Sequence, residues 1–196
     1  MRQLPNTITV LRILLVPVFA IAFALPGEGA RITAFVLFCV AGASDALDGL
    51  AARKLSATSA FGRMLDPIAD KILVAIALMM LVASGVVQGI QLIPVLVILA
   101  REILVSGMRE YLASVQVSVP VTRVAKMKTV LQMIAIGAMI LGPFAAKVVP
   151  AALAMAYMLL WVAAGLTVYT GYAYFRAGFA HVRPGQPEPV SGGSAG

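Results

Sequence analysis

Half of the chain's eight acidic residues lie between positions 45 and 70, at spacings that allow them to act together. Asp45 and Asp48 are three residues apart, and Asp66 and Asp70 are four apart. At these spacings each pair occupies one face of a helix. If one helix ends near 54 and the next begins near 61, both pairs lie roughly 8 to 14 Å from the turn, at about 1.5 Å per residue. The pattern predicts a cluster of four carboxylates, whether Pro67 starts the second helix with Asp66 as its cap or kinks that helix.

Four clustered carboxylates repel one another, and each costs about 2.5 to 3.5 kcal/mol in the centre of a bilayer, so a cation must accompany them. One alternative is buried ion pairs with Arg53, Arg63 and Lys71. The other is divalent metal. Hard oxygen ligands suit Mg²⁺ or Mn²⁺, no His or Cys is nearby to favour zinc, and paired metals commonly clamp phosphate oxygens during in-line displacement. We therefore favour phosphoryl chemistry at a membrane surface.

Small residues accompany the carboxylates, namely Gly49, Ala52 and Gly62. They permit either close helix packing, as in many membrane proteins, or the approach of a flat nucleotide or a diphosphate to the helix face. Spacing alone leaves both interpretations open.

The composition requires these helices to lie in a membrane, because 61% of the 196 residues are hydrophobic and only 12% are charged. We expect an all-α integral membrane protein, a six-transmembrane-helix bundle with a polar cavity open to the cytoplasm. Stretches rich in Gly, Pro and small polar residues, including 142–150, are expected to separate the spans. Residues 1–179 would form one membrane domain, and the Pro- and Gly-rich segment 180–196 a disordered cytoplasmic tail. The predicted spans are 4–25, 31–54, 61–84, 91–113, 121–144 and 149–176.

The net charge of +7 indicates membrane orientation and anionic lipid contact rather than nucleic-acid binding. With a cytoplasmic N-terminus, thirteen of the fifteen Lys and Arg residues fall on the cytoplasmic side, and only Arg31 and Lys147 on the other. Both termini are therefore expected in the cytoplasm. Residues 1–25 also resemble a signal peptide, but Asn6, Thr9 and Arg12 recur every three residues, which favours a retained first helix with one polar side.

Together the acidic and small residues spell D-x2-D-G-x2-A-R-x8-G-x3-D-x3-D, with Asp45 first and Asp70 last. All eight specified positions resemble the signature of the CDP-alcohol phosphatidyltransferase family. The resemblance implies a six-helix membrane bundle, usually a homodimer, in which the four aspartates hold two divalent cations, Mg²⁺ or Mn²⁺. Asp70 would also be the general base that takes the proton of the acceptor hydroxyl. The implied CDP-binding residues are Asp45, Asp48, Gly49, Ala52, Arg53, Gly62 and Ser59 (or its neighbour Thr58), with Asn6 and Thr9 from the first helix, where the alternative is a buried polar seam.

Three flanking blocks, "LPNTITVLRILLVPVF", "AREILVSGMREYLA" and "KMKTVLQM", resemble family members whose acceptor is sn-glycerol 3-phosphate. Ala125 is a mild departure, because a glycine often stands there. The resemblance implies transfer of a phosphatidyl group from CDP-diacylglycerol to the acceptor's 1-hydroxyl, with release of CMP, at the bacterial inner membrane.

A phosphorylated acceptor requires cations beyond those of the metal site, and a guanidinium can grip a phosphate through two hydrogen bonds. The candidates flank the fourth connection: Arg109, Lys126 and Lys128, then Arg101 and Arg123. The alternative is ordinary positive charge at the cytoplasmic side, paired locally with Glu102 and Glu110.

Other acceptors stay open, namely inositol phosphate, serine, or phosphatidylglycerol as in a cardiolipin synthase. A cation transporter is the rival from another class, but it predicts acidic residues spread through the depth of the membrane. His181 lies in the predicted tail and is expected to have no catalytic role.

Overall fold

The structure is a computed structural model that describes the backbone of residues 4–55, 60–116 and 123–181. Side chains are described for residues 11–44, 68–69, 71–116, 124–125, 127–172 and 174–176. The described backbone is all-helical and holds no β-strand. It comprises a short 3₁₀ turn (Gly89–Gln91) and six helices: α1 (Leu4–Ala24), α2 (Glu28–Leu55), α3 (Ala60–Ala83), α4 (Leu92–Ser114), α5 (Arg123–Val148) and α6 (Ala152–His181).

Each predicted span has a helix within a few residues of its expected bounds. Among the described residues, three stretches are long and apolar enough to cross a membrane: Gly89–Ser114, Met127–Val148 and Ala152–Arg176. Two shorter apolar stretches are Leu11–Ala24 and Lys71–Ala83. The protein is therefore an all-α membrane protein.

One expectation about a helix end was wrong. Segment 142–150 was expected to break the chain, but α5 continues through Gly142 and Pro143 to Val148. Gly142 is a packing residue, because a Cβ there would lie 2.8 Å from Leu153 Cδ1 of α6. The close contact between α5 and α6 accounts for the tolerance of a proline, which removes one helical hydrogen bond. The predicted start of the third helix near 61 is confirmed, since α3 begins at Ala60; of the two alternatives for Pro67, the one in which it begins the helix does not hold.

The core is built from all six helices, and the most extensive contacts are those of α5 with α6, of α1 with α2 and of α4 with α6. Phe19 of α1 packs on Phe23 and on Phe38 of α2, with ring centroids 5.8 and 6.0 Å apart. Fully buried side chains from the other helices complete it: Leu73, Leu78, Ile98, Ile136, Met139 and Leu160.

Contacts between helix termini show that successive helices alternate in direction. At one end, Lys147 near the end of α5 donates to Glu28 at the start of α2 at 2.6 Å, and Tyr157 of α6 donates to the carbonyl of Val86. We call this the outer end. At the other end α1, α3 and α5 begin and α2, α4 and α6 finish, and this is called the basic end.

Candidate active site

The two aspartate pairs of the motif lie on neighbouring helices near the basic end. Asp45 and Asp48 belong to α2, Asp66 and Asp70 belong to α3, and the two helices contact one another. Gly49, Ala52 and Arg53 follow on α2, Gly62 lies on α3, and Asn6 and Thr9 on α1. The side chains of these motif residues lie outside the described part of the chain, and Ser59 and Thr58 lie outside it entirely. Their grouping around metal and nucleotide therefore stays a prediction.

Arg12 marks a buried polar seam directly beside the motif. Its side chain on α1 is only 1% exposed, and its Nε donates to Ser44 Oγ of α2 at 3.2 Å. Ser44, the residue before Asp45, in turn donates to the carbonyl of Ala41 at 2.7 Å. Arg12, the one residue of the predicted polar side of α1 whose side chain is described, thus faces the helix that carries the first aspartate pair.

A second polar site lies between α3, α4, α5 and α6, in the same half of the molecule as the aspartate motif. It is a cavity of about 310 Å³, within the range of small-molecule sites. Its charged lining, here called the cation pocket, consists of Lys71, Arg101, Glu102, Arg109, Glu110 and Lys128. Lys71 follows Asp70 directly in α3, so the cation pocket and the aspartate motif share consecutive residues of one helix.

Glu102 is the centre of the cation pocket. Its carboxylate accepts hydrogen bonds from Lys71 Nζ at 3.4 Å, from Arg101 Nη1 at 3.1 Å, and from Lys128 Nζ. The side chains of Glu102 and Lys128 are 12% and 5% exposed. The largely buried carboxylate of Glu102 therefore pairs with cations from three different helices.

Arg101 extends the network to α6. Its Nη2 donates to Thr170 Oγ1 at 3.3 Å, and Thr170 donates to the carbonyl of Leu166 at 2.8 Å. The stem of Arg101 passes Gly171, where a Cβ would lie 3.3 Å from Arg101 Cγ. The Nε of Arg101 is buried and has no hydrogen-bond partner in the described part of the chain.

The cation pocket carries more positive charge than its own carboxylates neutralise. Four cations and two glutamates line it, so it holds a formal excess of two positive charges. Lys128 is buried, Lys71 and Arg101 are partly buried, and Arg109 is exposed. Clustered cations in excess favour a bound anion, and a phosphomonoester near neutral pH carries close to two negative charges. The pocket is therefore suited to a small phosphorylated ligand.

Three of the five predicted acceptor-phosphate residues line this cavity: Arg101, Arg109 and Lys128. Arg123 and Lys126 lie in the first turn of α5, and their side chains are outside the described part. The local pairing proposed as the alternative is wrong for Arg109, which forms no ion pair with either glutamate among the described residues. It is correct in part for Glu102, whose partners are Lys71, Arg101 and Lys128.

The sequence did not place Lys71 in this pocket or indicate a role for Thr170. One observation could have pointed to the site: Glu102 interrupts a long apolar run of α4, and an ionisable residue inside a membrane helix is a functional-site candidate by default.

An apolar groove lies between α2 and α5. Its volume is about 600 Å³, and its lining includes Phe35, Cys39, Gly42, Met133 and Gly137. Gly42 and Gly137 keep the two helices close, because a Cβ at Gly137 would lie 3.1 Å from Phe35. The groove runs along α2 just before the first aspartate pair.

Among residues with described side chains, no three potential metal ligands come together. The carboxylate oxygens of the motif are nevertheless of the type that Mg²⁺ and Mn²⁺ prefer. The two aspartate pairs lie on α2 and α3, which contact one another. The donor set thus fits divalent cations of this class.

Comparison with known proteins gives one consistent result. The model of the family described as CDP-alcohol phosphatidyltransferase matches residues 2–169. A CDP-diacylglycerol–glycerol-3-phosphate 3-phosphatidyltransferase from Rickettsia felis is 45% identical over 90% of this chain and 95% of its own length. Proteins of the same name from Pseudomonas fluorescens and Bacillus subtilis are 39% and 37% identical, over 92% and 89% of this chain and 92% and 94% of their own lengths.

Proposed function

The chain belongs to the CDP-alcohol phosphatidyltransferase family, and from that premise we propose that it is a phosphatidylglycerophosphate synthase. It transfers the phosphatidyl group of CDP-diacylglycerol to sn-glycerol 3-phosphate, which gives phosphatidylglycerophosphate and CMP in phospholipid biosynthesis. The relatives are named for this reaction, and the chain matches them over nearly their whole length. The transporter hypothesis is set aside, because it has no support from them.

The observation that supports the acceptor is the cation pocket beside the aspartate motif. Lys71 lines the pocket and is the residue after Asp70, so a phosphate held by Lys71, Arg101 and Lys128 would leave the rest of a small acceptor near the motif. A formal excess of two positive charges matches a phosphomonoester dianion. It matches serine, which carries no phosphate, or the singly charged phosphodiester of phosphatidylglycerol less well.

In the proposed reaction Asp70 accepts the proton of the acceptor's 1-hydroxyl as its oxygen attacks the phosphorus of the phosphatidyl group. The new O–P bond forms while the bond from that phosphorus to the bridging oxygen of the diphosphate breaks, and CMP departs with the bonding electrons. Proton transfer to a positioned carboxylate typically contributes about 10² to 10⁴ in rate. Gly49, Ala52, Arg53, Ser59 and Gly62, with Asn6 and Thr9, would bind the CDP group.

Members of this family use divalent cations. We propose two, Mg²⁺ or Mn²⁺, held by Asp45, Asp48, Asp66 and Asp70. Bound there, they would offset the negative charge of the diphosphate and of the departing phosphate. The acyl chains of the donor would lie along the apolar groove between α2 and α5, whose apolar lining suits them.

We further propose that all six helices span the bacterial inner membrane among its lipids, with the site in a polar cavity open to the cytoplasm and both termini on that side. Residues 1–179 would form the membrane domain. The first two residues of the predicted tail, 180–196, belong to α6, which ends at His181, and the rest of it would be a disordered cytoplasmic tail. The active form would be a homodimer.

The test is transfer by the purified protein with CDP-diacylglycerol, Mg²⁺ and one acceptor at a time. We expect CMP release and phosphatidylglycerophosphate only with sn-glycerol 3-phosphate, and no CMP after chelation of the metal. CMP release that depends instead on inositol phosphate, serine or phosphatidylglycerol would contradict the assignment of the acceptor.

A further inference from the structure

Glu102 is an unusual member of an anion-binding pocket, because a carboxylate repels the phosphate that the surrounding cations attract. It is also the only described residue that contacts Lys71, Arg101 and Lys128 together. Removing it would make the pocket more positive, yet the chain places it at the centre of the network. Its position therefore indicates that Glu102 also holds the three cations in place.

Three cations on three helices cannot hold a common geometry unaided. Lys71, Arg101 and Lys128 repel one another, and the Lys128 side chain is 95% buried in surroundings that disfavour an unpaired ammonium. Hydrogen bonds to the two oxygens of one carboxylate fix all three head groups on one side of the cavity. The Thr170 hydroxyl and the space left at Gly171 fix Arg101 from the opposite side.

From this geometry we propose that Glu102 is a positioning residue for the acceptor phosphate. It acts through Lys71, Arg101 and Lys128, whose remaining N–H groups it directs toward the bound phosphomonoester. It also holds the excess positive charge of the pocket at two, which favours a phosphate dianion over singly charged or neutral acceptors. This inference rests on the proposed function, and it adds a determinant of acceptor affinity and selectivity.

The test is steady-state kinetics of Glu102→Gln, Glu102→Asp and the wild-type protein, with each substrate varied in turn. Gln keeps the size of the side chain but loses its charge, whereas Asp keeps the charge on a shorter stem. We expect the KM for sn-glycerol 3-phosphate to rise at least tenfold in Glu102→Gln and less in Glu102→Asp. The KM for CDP-diacylglycerol should stay within about twofold, since that substrate does not use this pocket.

Inorganic phosphate serves as a second probe, because it should compete with sn-glycerol 3-phosphate for the same cations. Its inhibition constant should rise in parallel with the acceptor's KM. Glu28→Gln is the matched control: this glutamate also pairs with a lysine, Lys147, but it is 58% exposed at the outer end, so neither KM should change.

The outcomes separate the two proposals. If the wild-type protein makes no phosphatidylglycerophosphate, the proposed function fails. If the wild-type protein is active and Glu102→Gln has an unchanged or lower KM for the acceptor, the positioning role is overturned. An equal rise in both KM values, or loss of kcat with both KM values unchanged, would also overturn it, because general structural damage would then explain the effect.

Discussion

Asp70 and Lys71 are consecutive residues of α3 that serve different parts of the proposed reaction. Asp70 would take up the acceptor proton, whereas Lys71 is bound to Glu102 in the cation pocket. Their Cα atoms are about 3.8 Å apart by covalent geometry alone. Two successive positions of α3 would therefore link the proposed site of the acceptor phosphate to the proposed site of proton transfer.

Asp70→Asn should reduce kcat by about 10² to 10⁴, because the amide cannot accept the hydroxyl proton. The substitution keeps the size of the side chain, so helix content and the thermal unfolding temperature in detergent should change little. The measurement is CMP release at saturating concentrations of both substrates, with circular dichroism of the same preparation. Wild-type turnover in a folded Asp70→Asn protein would contradict the assignment of the base.

Asp45→Asn provides the comparison that separates a metal ligand from the base. Asp45 is assigned to metal binding and CDP binding only, so its loss should be relieved in part by raising the Mg²⁺ concentration. Asp70 is assigned to metal binding as well as to proton transfer, so raising the Mg²⁺ concentration should relieve only the metal-binding part of the loss in Asp70→Asn and leave the loss of the base. Equal relief of both variants would argue that Asp70 has no separate role as a base.

The sequence indicates which individual residues are candidates, but not which partners surround them. The aspartates follow from spacing along one helical hairpin, and Lys128 and Arg101 from the need for cations near an acceptor phosphate. The partners of Glu102 could not be predicted in the same way, because Lys71 and Lys128 are 31 and 26 residues away along the chain. Such pairings depend on how α3, α4 and α5 pack.

At the scale of helices, the contact between α4 and α6 shapes one wall of the cation pocket. Arg101 of α4 reaches Thr170 and passes over Gly171 of α6, and Val105 lies 3.6 Å from where a Cβ of Gly171 would be. The missing side chain lets the two helices approach while the arginine stem stays between them. Gly171 thus fixes the direction of a charged side chain that lies on another helix.

Gly171→Ala should therefore weaken acceptor binding. The added Cβ would lie 3.3 Å from Arg101 Cγ, so the arginine must move by a few tenths of an ångström. Weakening one hydrogen bond of this kind costs about 1 kcal/mol, which corresponds to roughly a fivefold rise in the KM for sn-glycerol 3-phosphate. Steady-state kinetics with the acceptor varied is the measurement.

Gly165→Ala is the matched control on the same helix. A Cβ at Gly165 meets no atom within 4 Å, so the change should leave both KM values unaltered and stabilise α6 by up to about 1 kcal/mol through helix propensity. A KM that rises equally in the two variants would show that the effect comes from the helix backbone and not from Arg101.

Helix bounds show why some elements are predictable and others are not. Apolar length sets the six helices to within a few residues, but Gly142 and Pro143 were expected to end α5. Glycine breaks helices in general, whereas here its small size allows Leu153 to pack closely. Local propensity was outweighed by a contact with α6 that the sequence does not reveal.

In the whole molecule, the distribution of Lys and Arg residues agrees with the alternating direction of the helices. Each end of the bundle collects alternate helix termini, and the basic end receives most of the Lys and Arg residues. The outer end has Arg31, stacked 3.7 Å over the ring of Phe23, and Lys147, paired with Glu28. Thirteen cations against two is a strong positive-inside bias, and it favours a cytoplasmic basic end where soluble glycerol 3-phosphate and CDP-lipid meet.

This orientation predicts which positions react with a membrane-impermeant maleimide in intact cells. Cys39 is the only cysteine, so a Cys39→Ala background permits single labels at Gly29→Cys, in the first turn of α2 at the outer end, and at Ser194→Cys in the C-terminal segment. Gly29 has open space around it, and substitution there should not disturb packing. We expect the label at position 29 without lysis and the label at position 194 only after permeabilisation, because thirteen cations hold the basic end inside. Retained transferase activity is the control for folding, and the reverse labelling pattern would place the catalytic cavity on the wrong side for its water-soluble acceptor.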